Sequence, residues 1–280
     1  MNKFLFTFIS LILISIVIIS CEKPQINPFD PASKNYIKPS VELISGPNEG
    51  EKVSSNNVTF VWKGNTDKNE FRYKLVYRTA NEVIQDWTPW SDVTTATFNY
   101  LDDGKYSFII ETRYKGNPEA TIFARNWEVE AIVGPAVKFY KLKNVVSLGS
   151  DFDIELWCED VKNVRGTSFT LIFDKDNFKL NSVTKGSLPR SINIEQVVLP
   201  DFSNPTIVDN VNKNGKVEIT TGFISEDGLS GTGSILKFNF KTLNKRGDFN
   251  ILAQNFILID TSKAQIMLAS HTISSLVQVK

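Results

Sequence analysis

Apolar and polar residues alternate with a period of two from Val41 to the end of the chain, and that period predicts half-buried β-strands. The alternation is clearest over 58–62, 71–77 and 106–113, and turn signals stand at Gly46–Pro47, Asn65–Asp67 and Asp102–Gly104. Strands at this spacing, with no long helical stretch, predict an antiparallel sandwich over 41–132. Gly134–Pro135 marks a boundary, and alternation resumes over 135–280. Between Asp151 and Glu159, residues Phe152, Ile154, Leu156 and Cys158 share one face, while the carboxylates and Trp157 share the other. That is a strand with one wet face, and it buries Cys158 as a small apolar residue. Over 167–173 the inward residues are Phe169, Leu171 and Phe173, and Asp174–Asn177 then turns the chain. Later strands cover 216–223, 235–242 and 249–260, broken at Asn214–Gly215, Glu226–Gly228 and Lys245–Gly247. No amphipathic helix is expected, which argues against parallel βαβ architecture. The predicted fold class is all-β, as two tandem antiparallel sandwiches.

The start of the chain departs from this pattern. Lys3 is followed by sixteen uncharged, mostly apolar residues, Phe4 to Ile19, and the run closes at Ser20–Cys21. A spanning helix needs ~20 apolar residues, whereas a basic start and a shorter apolar run fit a secretory signal. The junction resembles the lipobox of bacterial lipoproteins. That resemblance implies removal of residues 1–20, lipid attachment at Cys21, and anchorage to a bacterial membrane, the outer membrane favoured, facing periplasm or exterior. A membrane-spanning anchor with an incidental cysteine is the other reading. Residues 21–40 follow as a tether; Pro24, Pro28, Pro31 and Pro39 exclude a helix. Fully stretched, residues 22–40 reach ~60 Å.

Composition narrows the chemistry. With 31 basic and 31 acidic residues the net charge is zero, so nothing favours nucleic acid as a partner. Cys158 is the sole cysteine beside Cys21, so acylation of Cys21 leaves no disulfide, and stability must come from packing. A single histidine, His271, excludes multi-histidine metal sites. No cofactor or metal is expected. Three carboxylate pairs, Asp102–Asp103, Asp174–Asp176 and Glu226–Asp227, sit beside Gly or Asn in predicted turns. There Asp is favoured because it hydrogen-bonds its own backbone. No enzyme activity is expected.

Two resemblances add to this. Leu101 to Tyr106 resembles the tyrosine corner of fibronectin type III and related immunoglobulin-like domains, and Trp62 matches that family's core tryptophan. The corner implies that the Tyr106 ring packs inward and its hydroxyl ties back to the backbone. Trp87 and Trp90 then read as a hairpin packed by aromatics, with an exposed sugar-stacking pair as the alternative.

The strand order of 135–280 resembles the cohesin domain, a nine-stranded jelly roll. The resemblance rests on Val164 to Asp174, Lys216 to Phe223, the Gly228–Gly233 loop and Ser234 to Lys241. It implies protein docking on a flat sheet face, with a dockerin-bearing partner in a polysaccharide-degradation context. By analogy that face would present Ser168, Thr170, Ile172, Glu218, Thr220, Gly222, Asn250 and Leu252. The sequence departs from the family at Gly166 and Ser168, where its best-studied branch carries Asn and Asp, so those hydrogen bonds are not carried over. Related jelly rolls bind carbohydrate, for which Trp157 is the candidate residue, on the sheet opposite the docking face. A structural role in an envelope complex is the third reading.

Overall fold

The computed structural model describes residues 27–268 and 270–280. Strands dominate it, in two sandwiches. In the first, β1 (Val41–Ser45), β3 (Val58–Gly64) and β6 (Thr95–Phe98) form a three-stranded sheet in the order β1-β3-β6. Facing it is a five-stranded sheet made by β2 (Glu51–Val53), β4 (Asn69–Tyr77), β5 (Glu82–Gln85), β7 (Gly104–Tyr114) and β8 (Ala120–Val129), in the order β2-β8-β7-β4-β5. Alternate residues meet between the sheets: Phe60 stacks on Phe108 at 4.2 Å between centroids, and Trp62 is 1% exposed. Truncating such a ring to alanine costs about 3–5 kcal/mol. The Tyr106 hydroxyl donates to the Asp102 carbonyl at 2.8 Å, which closes the expected tyrosine corner. All pairings here are antiparallel except β2 with β8, which is parallel.

The second sandwich runs from β9 (Ala136–Tyr140) to β18 (Thr272–Val279). Its spine is β11 (Asp151–Ile172), which serves both layers. The first half of β11 pairs with β9 and with β15 (Leu229–Thr242), which also pairs with β12 (Phe178–Lys185). The second half pairs with β14 (Lys216–Ile224) and β16 (Gly247–Asp260). Where two separate strands are expected there is thus one continuous strand. It bends at Asp160 and Asn163, whose φ values of 45° and 54° break the ladder without ending it. Beyond β16 lies β18, then β10 (Lys143–Val146), paired in parallel with β18. Beyond β14 lies β13 (Glu195–Leu199), and β17 (Gln265–Ile266) pairs with β16. Phe139, Phe169, Phe178, Phe238, Phe240 and Phe256 fill the space between the layers. The whole is all-β, as the alternation predicts.

Two expectations need correction. Helices do occur: α1 spans Ser187–Ser191 and α2 spans Pro205–Asn214. The ends of α2 are specified locally. Asn204 Oδ1 accepts from Thr206 N at 3.0 Å, Pro205 sits in the first turn, and Gly215 closes the helix at φ 65°. A side chain at Gly215 would also stand 2.6 Å from the Phe173 carbonyl oxygen. Asn214–Gly215 is therefore a helix stop, not a hairpin turn. Asn212 pins the helix by bonding both the N–H and the C=O of Leu180.

The second correction concerns the tether. Residues 27–40 lie against the first sandwich. Phe29 meets the Tyr114 ring edge-on at 4.9 Å, Lys68 Nζ stands 4.4 Å over Phe29, and the Tyr114 hydroxyl donates to Ile37 O at 2.8 Å. Thr121 Oγ1 donates to Pro39 O at 2.5 Å.

Candidate docking face and domain junction

The ladder of β11, β14 and β16 brings the expected face together. Ser168 stands opposite Thr220 on β14 and Ile257 on β16; Thr170 stands opposite Glu218 and Gln254; Ile172 stands opposite Leu252. Gly222 lies beside Gly166, and Asn250 lies one step beyond Leu252 on the same side of β16. Glu218, Thr220 and Asn250 are exposed, while Ser168, Ile172, Gly222 and Leu252 are half-buried. Thr170 is the exception: at 9% exposure its neighbours cover it. Cys21 lies outside the described residues.

Residues that sequence reasoning missed complete the face. β13 sets Val197 beside Gly222 and Leu199 beside Thr220, and Ile224 follows Gly222 on the same side. On the far side Ile259 stands opposite Gly166. Val197, Leu199, Ile224 and Ile257 are 43%, 55%, 57% and 48% exposed, high for β-branched and leucine side chains on a sheet. Aliphatic side chains therefore flank a floor of Gly166, Ser168, Thr220 and Gly222. A side chain built at Gly222 would meet nothing within 4 Å, so the floor is open there, whereas one at Gly166 would stand 2.9 Å from the Thr221 carbonyl oxygen. The outward position of Ile257 depends on a bulge. The pairing shifts between Ser168 and Thr170, and Asn255 adopts φ 60°. One extra residue reverses which side chains face out, so Asn250 and Leu252 hand over to Ile257 and Ile259.

Trp157 stands elsewhere. Its ring lies 5.2 Å from that of Tyr140, and its Nε1 donates to Glu155 at 2.9 Å. Together with Tyr77, Asp102 and Lys138 it lines a small cavity of about 200 Å³ where the sandwiches meet. It is half-buried at that junction and does not belong to a planar row of open aromatics. Trp87 and Trp90 are likewise not free for stacking: the Arg72 guanidinium lies 4.9 Å from each ring.

Asp102 and Asp103 do more than shape a turn. Asp103 accepts from Lys138 Nζ at 2.7 Å and from Ala131 N at 2.8 Å, while Asp102 accepts from Leu142 N at 2.9 Å. Lys138 also bridges to Glu159 at 2.6 Å, and Lys141 pairs with Glu82. One loop of the first sandwich is thus bonded to β9 of the second and to the link that follows it. Burial pushes the Asp102 carboxyl up to about 6, against the opposing pull of the Leu142 amide and Lys141. Burial alone would depress the Lys138 ammonium, but its hydrogen bonds to the Asp103 and Glu159 carboxylates hold it above the usual lysine value.

The remaining candidates serve the fold. Asp174 accepts from Asp176 N at 3.0 Å and from Asn177 Nδ2 at 2.6 Å, closing its own turn. Glu226 and Asp227 are exposed on the turn before β15. Cys158 is buried, and burial raises its thiol to about 12, so it carries no thiolate at neutral pH.

No protein-family model matches the chain, and no curated protein sequence does. Solved structures similar to it include cohesins. A non-cellulosomal cohesin from the archaeon Archaeoglobus fulgidus is 16% identical with a TM-score of 0.38, over 52% of this chain and 91% of that one. The cohesin of the Coh-OlpA–Doc918 complex from Clostridium thermocellum is 10% identical with a TM-score of 0.42, over 52% and 99%. A cohesin module of a family 33 glycoside hydrolase from Clostridium perfringens is 16% identical with a TM-score of 0.40, over 53% and 99%.

Proposed function

We propose that this chain is a membrane-anchored envelope lipoprotein whose second sandwich docks a partner protein on the face of β13, β14, β11 and β16. The observation that supports this reading is the open Gly–Ser–Thr floor between exposed aliphatic side chains. The floor lets a partner's backbone approach closely, and the aliphatic rim supplies apolar area that water alone now covers. Four strands at ~4.8 Å spacing are ~14 Å across, wide enough for an α-helix of ~10 Å diameter to lie along them. With the sequence resemblance to cohesins, this favours a dockerin-bearing protein of polysaccharide breakdown as the partner. The face works by contact, with no catalytic step. Lipid at Cys21 would hold the complex at the outer membrane, facing periplasm or exterior, and raise the partner's local concentration. The first sandwich acts as the spacer.

The test is calorimetric titration of the full chain with a calcium-loaded dockerin module. Gly222→Arg fills open space, so it should weaken binding at least a hundredfold, about 2.8 kcal/mol, with the melting temperature unchanged. Equal binding by both proteins, or none by either, rejects the reading. The anchor is tested separately: labelled palmitate should enter the wild type and not Cys21→Ser, and label in the variant removes that part.

A further inference from the structure

A second cleft, independent of the sheet face, lies where the two sandwiches meet. It encloses about 580 Å³, within the ~300–1,000 Å³ range of ligand sites. Its walls are unusual. β5 ends the five-stranded sheet, β6 ends the three-stranded sheet, and β10 ends the sheet that runs through β18. All three terminal strands line this one cleft, through Val83 and Ile84, through Phe98, and through Lys143 and Val145. A terminal strand carries a row of unpaired N–H and C=O groups, and proteins usually shorten, cover or bend it away.

The free side of β10 can be assigned. Leu276 N donates to Leu142 O at 2.9 Å, and Lys280 N donates to Val146 O at 2.9 Å. β18 therefore takes the even-numbered carbonyls, and in a parallel ladder the alternate residues face the other way. The N–H and C=O of Lys143 and Val145 point away from β18, along the side no other strand occupies. Nearby, Val83, Ile84 and Val145 stand 48%, 43% and 54% exposed. Backbone groups for pairing and aliphatic side chains thus share one cleft.

We infer that this junction cleft captures an extended, aliphatic-rich segment of a partner protein as an added β-strand. Main-chain hydrogen bonds would supply affinity and alternate aliphatic side chains the fit. The described leading segment, residues 27–40, is not the occupant. Residues 27–40 are held at Tyr114, whereas the cleft lies by Leu101 and Tyr106, at the other end of β7.

The probe is a phage-displayed library of random hexapeptides, panned on the full chain and counter-selected against Val145→Pro. That proline removes an amide the β10–β18 pairing does not use. The expected result is a set of aliphatic-rich hexapeptides that bind the wild type at least tenfold more tightly than V145P. Methylating alternate amides of the selected peptide should also lose at least tenfold, whether or not V145P folds. No enrichment, or equal binding of methylated and unmethylated peptide, overturns the inference. Cellohexaose displacing the peptide would overturn it in favour of a glycan, and a wild-type dimer that V145P dissociates would overturn it in favour of a second copy.

Discussion

Two of the solvent-facing sheet faces in this molecule are finished in opposite ways. On the outer face of β4 and β7, Arg72 pairs with Glu111 at 2.5 Å and Arg113 with Glu70 at 2.6 Å. Trp90 lies against both guanidinium groups, 4.1 Å from that of Arg113. Long side chains there satisfy one another, so the face needs no partner. On the face of β11, β14 and β16 the central positions are Gly, Ser and Thr, and the aliphatic groups around them keep about half their surface in water. A sheet surface covered by its own side chains is complete. One with a bare floor and an apolar rim is half of an interface.

The junction between the sandwiches follows the self-covered logic most strictly, so breaking it should have the largest effect. Lys138 is 11% exposed between two carboxylates that are 19% exposed. Lys138→Ala leaves both buried and uncompensated, and should cost about 3–5 kcal/mol in denaturant unfolding. A loss under 1 kcal/mol would mean that water already screens the cluster. Asp102 gives the matching pH dependence. Its folded value of about 6 lies above its ordinary 3.8, so the folded chain binds the proton first as pH falls. Its contribution to stability is fully present below 3.8 and is lost as pH rises through 6. The stability difference between wild type and Asp102→Asn should therefore shift by up to about 3 kcal/mol between pH 4 and 7.5, in favour of the wild type at the acid end. A flat difference would place Asp102 in contact with solvent.

The next effect is smaller and tests the covered face. Trp90→Ala removes contacts with two guanidinium groups and some ring packing, and should cost about 2 kcal/mol by thermal unfolding. No loss would make the stack an ornament of the surface, and the two faces would no longer differ.

The sequence reveals these regions unequally, for physical reasons. Period-two alternation reports which residues of one strand share a face; grouping Ser168, Thr220, Gly222 and Leu252 across three strands rests on the resemblance to cohesins, and the ladder sets these residues side by side. It carries no information past a bulge, so Ile257 and Ile259 are invisible until Asn255 is seen at φ 60°. Val197 and Leu199 are hidden because Glu195–Leu199 has too few residues to show its period. The ends of α2 are legible in Asn204, Pro205 and Gly215, and Ile207 and Val211 stand four apart on its inner face, but ten residues give too few turns for that spacing to stand out among strands. The docking of Phe29 on Tyr114, and the reach of Asp103 to Lys138, join residues distant in sequence. Such contacts depend on the finished fold, and no local pattern announces them.

The smallest expected effect is the sharpest test of the open face. Val197 and Ile257 flank the floor from opposite sides, on β13 and β16. Each keeps nearly half its surface in water in the folded chain, so replacing both with threonine removes little buried apolar area. Threonine keeps the β-branched shape that suits a strand. The double variant Val197→Thr, Ile257→Thr should thus unfold within about 0.5 kcal/mol of the wild type, the usual range for surface changes. Its affinity for a helical partner should nevertheless fall, because the rim is where such a partner would bury apolar surface. If instead stability drops by more than about 1 kcal/mol, these side chains already pack within the chain. The face would then be as complete as the one built on Arg72 and Trp90, and the contrast that marks it as an interface would disappear.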